Sequence, residues 1–227
     1  MKRIASGVVA ALLFLTMSAG ARAEEGKSEG VEVTAAVKAW MNQWKRSDPA
    51  AESKTSNSII LIGPAIEVEF PVGIFVEASY LTSMADYKVS EATGDIKFSR
   101  TDIDLAAGYM FNHNVGAFVG YRNSEFKEKD SGAKETLSGT LLGVRGSVPV
   151  SEAFSVYGKA TYLFTNLKPS DADSEQAPGW IAEAGLKYAF TKAFAGALGY
   201  KYETTKTKDS KIEDTFTGAT LDVMYTF

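Results

Sequence analysis

The run Leu221-Asp222-Val223-Met224-Tyr225-Thr226-Phe227 sorts its side chains by parity. Leu221, Val223, Tyr225 and Phe227 fall on one face, with Thr220, Asp222 and Thr226 on the other. A period of two is that of a β-strand with one apolar face. The same period governs residues 182–188, where Glu183 and Lys187 oppose Ala184, Leu186 and Tyr188. In 196–202, Leu198, Tyr200 and Tyr202 oppose Lys201 and small residues.

Working outward, ten such segments can be drawn: 31–45, 58–70, 73–81, 100–111, 115–126, 137–148, 154–164, 180–190, 194–204 and 216–227. A strand that crosses a hydrocarbon layer at a tilt needs roughly 9–11 residues, and strands of water-soluble proteins average about 5–6. The connections alternate. Long polar ones (46–57, 82–99, 127–136, 165–179 and 205–215) follow short ones (71–72, 112–114, 149–153 and 191–193). Long loops on one side and tight turns on the other are the habit of outer-membrane barrels, and an even strand number puts both ends in the periplasm.

A water-soluble barrel with a Phe- and Tyr-rich core would show the same alternation, so the placement of aromatics decides between the two. Toward the short turns lie Phe70, Tyr109, Phe111, Phe154, Tyr188, Phe190, Phe194 and Tyr225. Toward the long loops lie Trp44, Tyr80, Tyr121, Tyr162, Phe164, Trp180, Tyr202 and Phe216. Two belts with small aliphatics between them predict headgroup-level girdles. The expected fold is all-β: a transmembrane, antiparallel, up-and-down β-barrel over residues 31–227, with ten strands, or eight if two segments are misdrawn.

On these features the chain resembles small outer-membrane β-barrel proteins of the OmpA-like or opacity-porin type. The resemblance is architectural, spans residues 31–227, and ends in the terminal aromatic of that class. It implies that Tyr225 and Phe227 form the insertion signal read by the barrel-assembly machinery. The peptidoglycan-binding domain that follows the OmpA barrel has no counterpart before Phe227, so a barrel without that anchor is expected.

The start of the chain reads as an export signal. Lys2 and Arg3 precede the apolar stretch 8–15, and Ala21-Arg22-Ala23 supplies a small–x–small site, with cleavage expected after Ala23. Losing Lys2, Arg3 and Arg22 takes the formal charge from −4 to −7. The polar stretch 24–30 is expected to be a flexible periplasmic tail. Export to the outer membrane follows.

Composition limits the chemistry. Zero cysteines exclude disulfides, thiol catalysis and Cys-ligated metals, and a pI near 5.2 argues against nucleic acid as a partner. The one histidine, His113, sits in the short turn Asn112-His113-Asn114, at the wrong end for the outer-rim hydrolysis of ten-stranded proteases or eight-stranded lipid A deacylases. No catalytic, cofactor-binding or metal-binding residues are therefore assigned, and no cofactor is expected. Asp171-Ala172-Asp173-Ser174-Glu175, bracketed by Pro169 and Pro178, reads as a solvated loop and not as a calcium site.

The face opposite the lipid carries Lys38, Glu67, Glu69, Glu77, Asp104, Arg122, Arg145, Lys159, Glu183, Lys187, Lys201, Glu203 and Asp222. Six basic and seven acidic groups nearly cancel, which predicts a lumen charge network of crosslinked ion pairs. Arg122 or Lys159 is expected to neutralise Glu67 and Glu69. The expected role is structural or surface-interacting, with five long outer loops meeting an extracellular ligand. The alternative is a narrow porin-like channel, since acidic groups crowd strands two to four and basic ones five to seven; an enzyme comes third. Outer-membrane lipid and lipopolysaccharide are expected partners, with Arg46, Lys88, Lys127, Lys129 and Lys134 available to lipid phosphates.

Overall fold

In chain order the strands are β1 (Glu32–Ser47), β2 (Lys54–Glu69), β3 (Ile74–Ser83), β4 (Tyr87–Glu91), β5 (Gly94–Asn112), β6 (Val115–Glu128), β7 (Lys134–Pro149), β8 (Phe154–Pro169), β9 (Glu175–Gln176), β10 (Gly179–Ala189), β11 (Phe194–Lys206) and β12 (Glu213–Thr226). The computed structural model describes residues 30–49, 53–91, 94–170 and 173–227. The export signal with Ala21 and Ala23, the tail before Gly30, and Asp171 and Ala172 lie outside them. β1 is bonded on both sides, to β2 from Glu32↔Glu69 to Arg46↔Lys54 and to β12 from Thr34↔Thr226 to Ser47↔Glu213. That double pairing closes the sheet into an antiparallel barrel and removes both edges.

Ten strands make the wall, all except β4 and β9. The ten-strand reading holds, and the eight-strand one falls. The two extra strands prolong existing ones. β9 keeps the register of β10 along β8, with Asn166↔Gln176 followed by Gly179↔Leu163. Pro178 lies between them, and because it has no N–H the ladder must skip there. β4 pairs β5 from Tyr87↔Phe98 to Glu91↔Gly94, after an interruption at Met84–Asp86.

The short turns are as tight as expected. Gly73 adopts φ 85°, a conformation that suits glycine, and its N–H donates to the Phe70 carbonyl at 2.8 Å. In the 112–114 turn the Asn112 Oδ1 accepts from the N–H groups of Asn114 and Val115 at 2.8 and 2.9 Å. That Asx geometry leaves His113 in solvent.

At the other end the structure departs from the sequence reading. The five loops are not long: the strands run on, to Lys54 on β2, Gly94 on β5, Lys134 on β7, Pro169 on β8 and Glu213 on β12. The physical cause is an inversion of polarity along several strands, of which β8 is the clearest. On the lower part of β8 the inward residues are Tyr157 and Lys159, opposite an apolar outward face. Farther up, Leu163 and Leu167 point inward and are buried, and Asn166 and Lys168 point out. The lower barrel is polar inside and apolar outside, as lipid demands. Its upper third has the opposite sense, that of a water-soluble β-barrel with an apolar core.

Candidate functional site: the lumen and the outer crown

Beginning at the periplasmic end, a cavity of about 460 Å³ enters the barrel between Glu32, Glu69, His113 and Lys187 and ends beneath Trp40, Arg122 and Lys201. Two charge clusters cross it. In the lower one, Arg145 of β7 reaches Glu67 of β2 at 2.5 Å and lies 3.9 Å from Glu69 and 3.8 Å from Glu77. Lys159 of β8 is bonded to Glu77 of β3. The Arg145 guanidinium stands 3.5 Å over the Phe75 ring, and the Lys159 ammonium 4.5 Å over Phe118. Arg145, not Arg122 or Lys159, is thus the group that neutralises Glu67 and Glu69. Lys38 pairs with Asp222 at 3.6 Å. Glu183 accepts from the hydroxyls of Tyr157 and Thr220 at 3.1 and 3.3 Å.

The upper cluster is more deeply buried. Glu203 of β11 accepts from Arg100 Nη2 at 2.5 Å and from Arg122 Nη1 at 2.8 Å, and Lys201 Nζ lies 3.6 Å away. Arg100 also bonds Asp102 at 2.8 Å, and Arg122 grips Asp104 through two bonds of 2.6 and 2.7 Å. Side chains of Arg100, Arg122 and Glu203 are no more than 2% exposed. Three cations face three carboxylates, so the layer is neutral. Because β5 and β11 lie on opposite sides of the ring, the Arg100–Glu203 bond is a strut across the bore. Arg100 and Asp102 were not singled out from the sequence. Their parity matches Asp104, and that was the available signal.

Above this layer, an aromatic cap fills the bore. Trp40, Trp44, Ile59, Leu61, Leu81, Tyr87, Val89, Phe126 and Phe216 form one buried cluster. Trp44 and Phe216 are register partners whose rings stack at 5.9 Å and 9°. Phe126 stacks on Phe216 at 5.6 Å, and the Arg100 guanidinium sits 4.1 Å from the Phe216 ring. Trp44 and Phe216 are each 3% exposed and do not belong to the outer girdle, which corrects the sequence reading. Their even numbers place them on the faces of Lys38 and Asp222; nearness to the loops misled the assignment. The other girdle tyrosines behave as expected: Tyr80, Tyr121, Tyr162 and Tyr202 are 40–51% exposed on the outside.

The crown is sealed by more buried polarity. Trp44 Nε1 and Arg46 Nε both donate to Asp214 Oδ1 at 2.8 Å, and Arg46 reaches across to Glu135 at 2.7 Å. Arg46 therefore faces the mouth of the barrel and does not meet lipid phosphates. β9 is clasped to the neighbouring turn: Glu175 accepts from the Asp209 N–H, the Ser210 N–H at 2.8 Å and the Ser210 hydroxyl at 2.9 Å. Desolvation pushes the Glu175 pKa up, but the bonds from Ser210 and Asp209 outweigh it and hold the carboxyl below its ordinary value. A depressed carboxylate contributes its stabilisation above the ordinary value near 4.5 and loses it as pH falls through the lowered one. Amide protection across 207–212, taken relative to the intrinsic exchange rate at each pH, is expected to fall as pH drops below the ordinary carboxylate range, and to lose that dependence in Glu175→Gln. An unchanged profile in the two proteins would refute the clasp.

Tyr225 and Phe227 project outward, their rings edge-to-face at 4.9 Å, and Phe227 is 77% exposed. Lys187 lines the vestibule rim. Among the described residues no cluster of three or more His, Asp or Glu has metal-binding geometry.

Residues 7–227 match the family model described as outer membrane protein beta-barrel domain. The outer membrane protease OmpT of Escherichia coli superposes with a TM-score of 0.57 at 13% identity, over 90% of this chain and all of that one. Ail, the attachment invasion locus protein of Yersinia pestis, crystallised with the heparin analogue sucrose octasulfate, gives 0.41 at 13% identity, over 87% and 99%. A de novo designed transmembrane β-barrel gives 0.33 at 12% identity, over 89% and 100%. No curated protein matches the chain. At these identities the OmpT likeness concerns the fold.

Proposed function

The chain belongs to the outer membrane protein beta-barrel domain family, and from that premise we propose that it is a closed, non-catalytic surface barrel of the OmpA-like or opacity type, presenting its crown to an extracellular ligand. The observation that carries this reading is the combination of cap and strut. Trp44, Phe216, Arg100 and Glu203, all at or below 3% exposure, obstruct the bore at two successive levels. Material spent on closing the lumen favours display over transport. Strands, and not long loops, carry the exposed side chains of the crown outward, a preorganisation that lowers the entropy lost on binding. Tyr225 and Phe227, exposed at the end of β12, serve in this reading as the signal for the assembly machinery.

A second reading has its own observation, the vestibule of about 460 Å³ that enters from the periplasm and is lined by both charge signs. If the cap opens, this becomes the lower half of a narrow channel. Single-channel recording of the refolded barrel in a planar bilayer, at low and high salt, separates the two. Silence from a heat-modifiable, folded protein is expected. Stable steps that scale with salt would overturn the closed-barrel reading in favour of passive diffusion. Deleting 82–99 is no clean test of ligand binding, because Tyr87, Val89 and Phe98 belong to the cap. Substitutions at the exposed tips 129–132 and 208–211 leave the cap intact and are the right probes.

A further inference from the structure

Lysines gather on one outer wall of the crown. Tyr87 and Val89 are buried, so Lys88 between them points away from the lumen. Its register partner is Lys97 of β5, and on the next two strands Lys127 of β6 stands opposite Lys134 of β7. Lys168 of β8, partner of Thr136, projects the same way. All five are exposed. Directly opposed like charges sit about 5 Å apart at Cβ and repel. Among the described residues an ion-pair partner is found only for Lys134, to Glu125 at 3.0 Å. Glu125, outward on β6, offsets the Lys127–Lys134 pair in part, whereas the opposed Lys88 and Lys97 favour an anion from outside the sheet.

What lies below the lysines is equally specific. Moving down the outward faces, one meets Ser99 and Thr101, Asn123, Ser138 and Asn166, a collar of hydroxyls and amides, and then the aromatic girdle of Tyr121, Tyr162 and Phe164. From Phe164 to Lys168 is roughly 13 Å along the strand, or about 10 Å of height at the usual barrel tilt. The lysines therefore look sideways, at the level just above the lipid headgroups, and not upward into solvent.

We propose that this wall docks the phosphorylated saccharide headgroup of an outer-leaflet glycolipid, lipopolysaccharide. Phosphate oxygens accept charge-assisted hydrogen bonds from Lys88, Lys97, Lys127 and Lys168, and the polar collar meets the sugar hydroxyls. The sideways aspect selects a membrane-anchored anion over a soluble one. This partner is lateral, so the proposal stands or falls apart from whatever the crown binds from solution.

The test uses the refolded chain in zwitterionic micelles, offered deep-rough lipopolysaccharide, phosphatidylglycerol or a soluble polysulfated disaccharide. Co-purified ligand is measured at about 0.1 and 0.5 M salt, which separates screened from unscreened contacts. The wall variant is Lys88→Gln, Lys97→Gln, Lys127→Gln, Lys168→Gln. The control carries Lys45→Gln, Lys206→Gln, Lys208→Gln and Lys211→Gln, from other strands and turns of the crown. The parent and the control are expected to retain lipopolysaccharide at low salt and to lose it at high salt. The wall variant is expected to retain at least about tenfold less, the loss of several charge-assisted contacts. Equal retention by the wall variant and the parent overturns the proposal. So does parent retention of phosphatidylglycerol or of the soluble sulfated sugar equal to that of lipopolysaccharide. Salt-insensitive capture by the parent overturns it independently of any variant.

Discussion

The Trp44→Ala, Phe216→Ala double variant is expected to conduct where the parent barrel is silent. These two rings stack on each other and, through Phe126 and Arg100, close the bore from wall to wall. Beneath them the vestibule already reaches Trp40 from the periplasm. Removing both leaves the Arg100–Glu203 layer as the remaining obstacle, and its charged groups then have water on two sides. Truncating a buried Trp or Phe to Ala costs about 3–5 kcal/mol, so the variant is also expected to melt well below the parent. Planar-bilayer recording gives the first readout, and the temperature at which heat-modifiable gel mobility is lost gives the second. Silence from a folded double variant would mean that Tyr87, Leu61 and Val89 collapse into the space, and the cap would have to be defined more broadly.

Glu203→Ala is expected to be the most destabilising single charge substitution in the lumen. Its carboxylate is 1% exposed and counters Arg100, Arg122 and Lys201 together. Without it, three buried cations share Asp102 and Asp104. Removing one partner of a buried pair costs about 3–5 kcal/mol, because the other charge is left desolvated and unmatched. Glu203→Gln keeps one acceptor oxygen and the side-chain volume but sets an NH2 donor against one of the two arginines. It is expected to lose less than the alanine variant, yet still a substantial share, since the charge is gone. Combining Glu203→Ala with Arg100→Met is expected to cost less than the sum of the two singles, the sign of direct coupling. Urea midpoints measured in the same lipid decide this. A midpoint within error of the parent for Glu203→Ala would show the strut to be incidental.

The contrast with Lys38 and Asp222 makes the same argument from the other side. Their side chains are 40% and 13% exposed at 3.6 Å separation, so the pair is partly screened by water in the vestibule. Severing it is expected to matter far less than severing Arg100–Glu203. Depth in the lumen, and not the number of charges, sets the cost.

Several features of this barrel were legible without coordinates. The parity of 221–227, 182–188 and 196–202 fixed which face meets lipid, because a membrane penalises a charge on that face and leaves few exceptions. Tight turns such as Asn112-His113-Asn114 marked the periplasmic ends, because their geometry is local. The thirteen charges assigned to the lumen lie on its side for the same reason. What parity implied about Trp44 and Phe216 was overruled by an expectation about girdles, and the rings turned out to follow parity.

Other features belonged to the tertiary structure alone. Arg100 and Glu203 are separated by 103 positions and Arg145 and Glu67 by 78. Which cation meets which carboxylate depends on strand tilt and on closure of the ring, quantities that no local window contains. The same holds for the upper third. Its outward Ser, Thr, Asn and Lys looked like loop composition, since the helpful contrast between an apolar outside and a polar inside is reversed once the strands leave the bilayer. Only pairing with the neighbouring strands, which both donate and accept along the ladder, keeps those residues extended and buries the inward Leu137, Leu163 and Leu167. Alternation along one strand thus determined that this chain makes a membrane barrel, whereas contacts across ten strands determined that its outer mouth is closed.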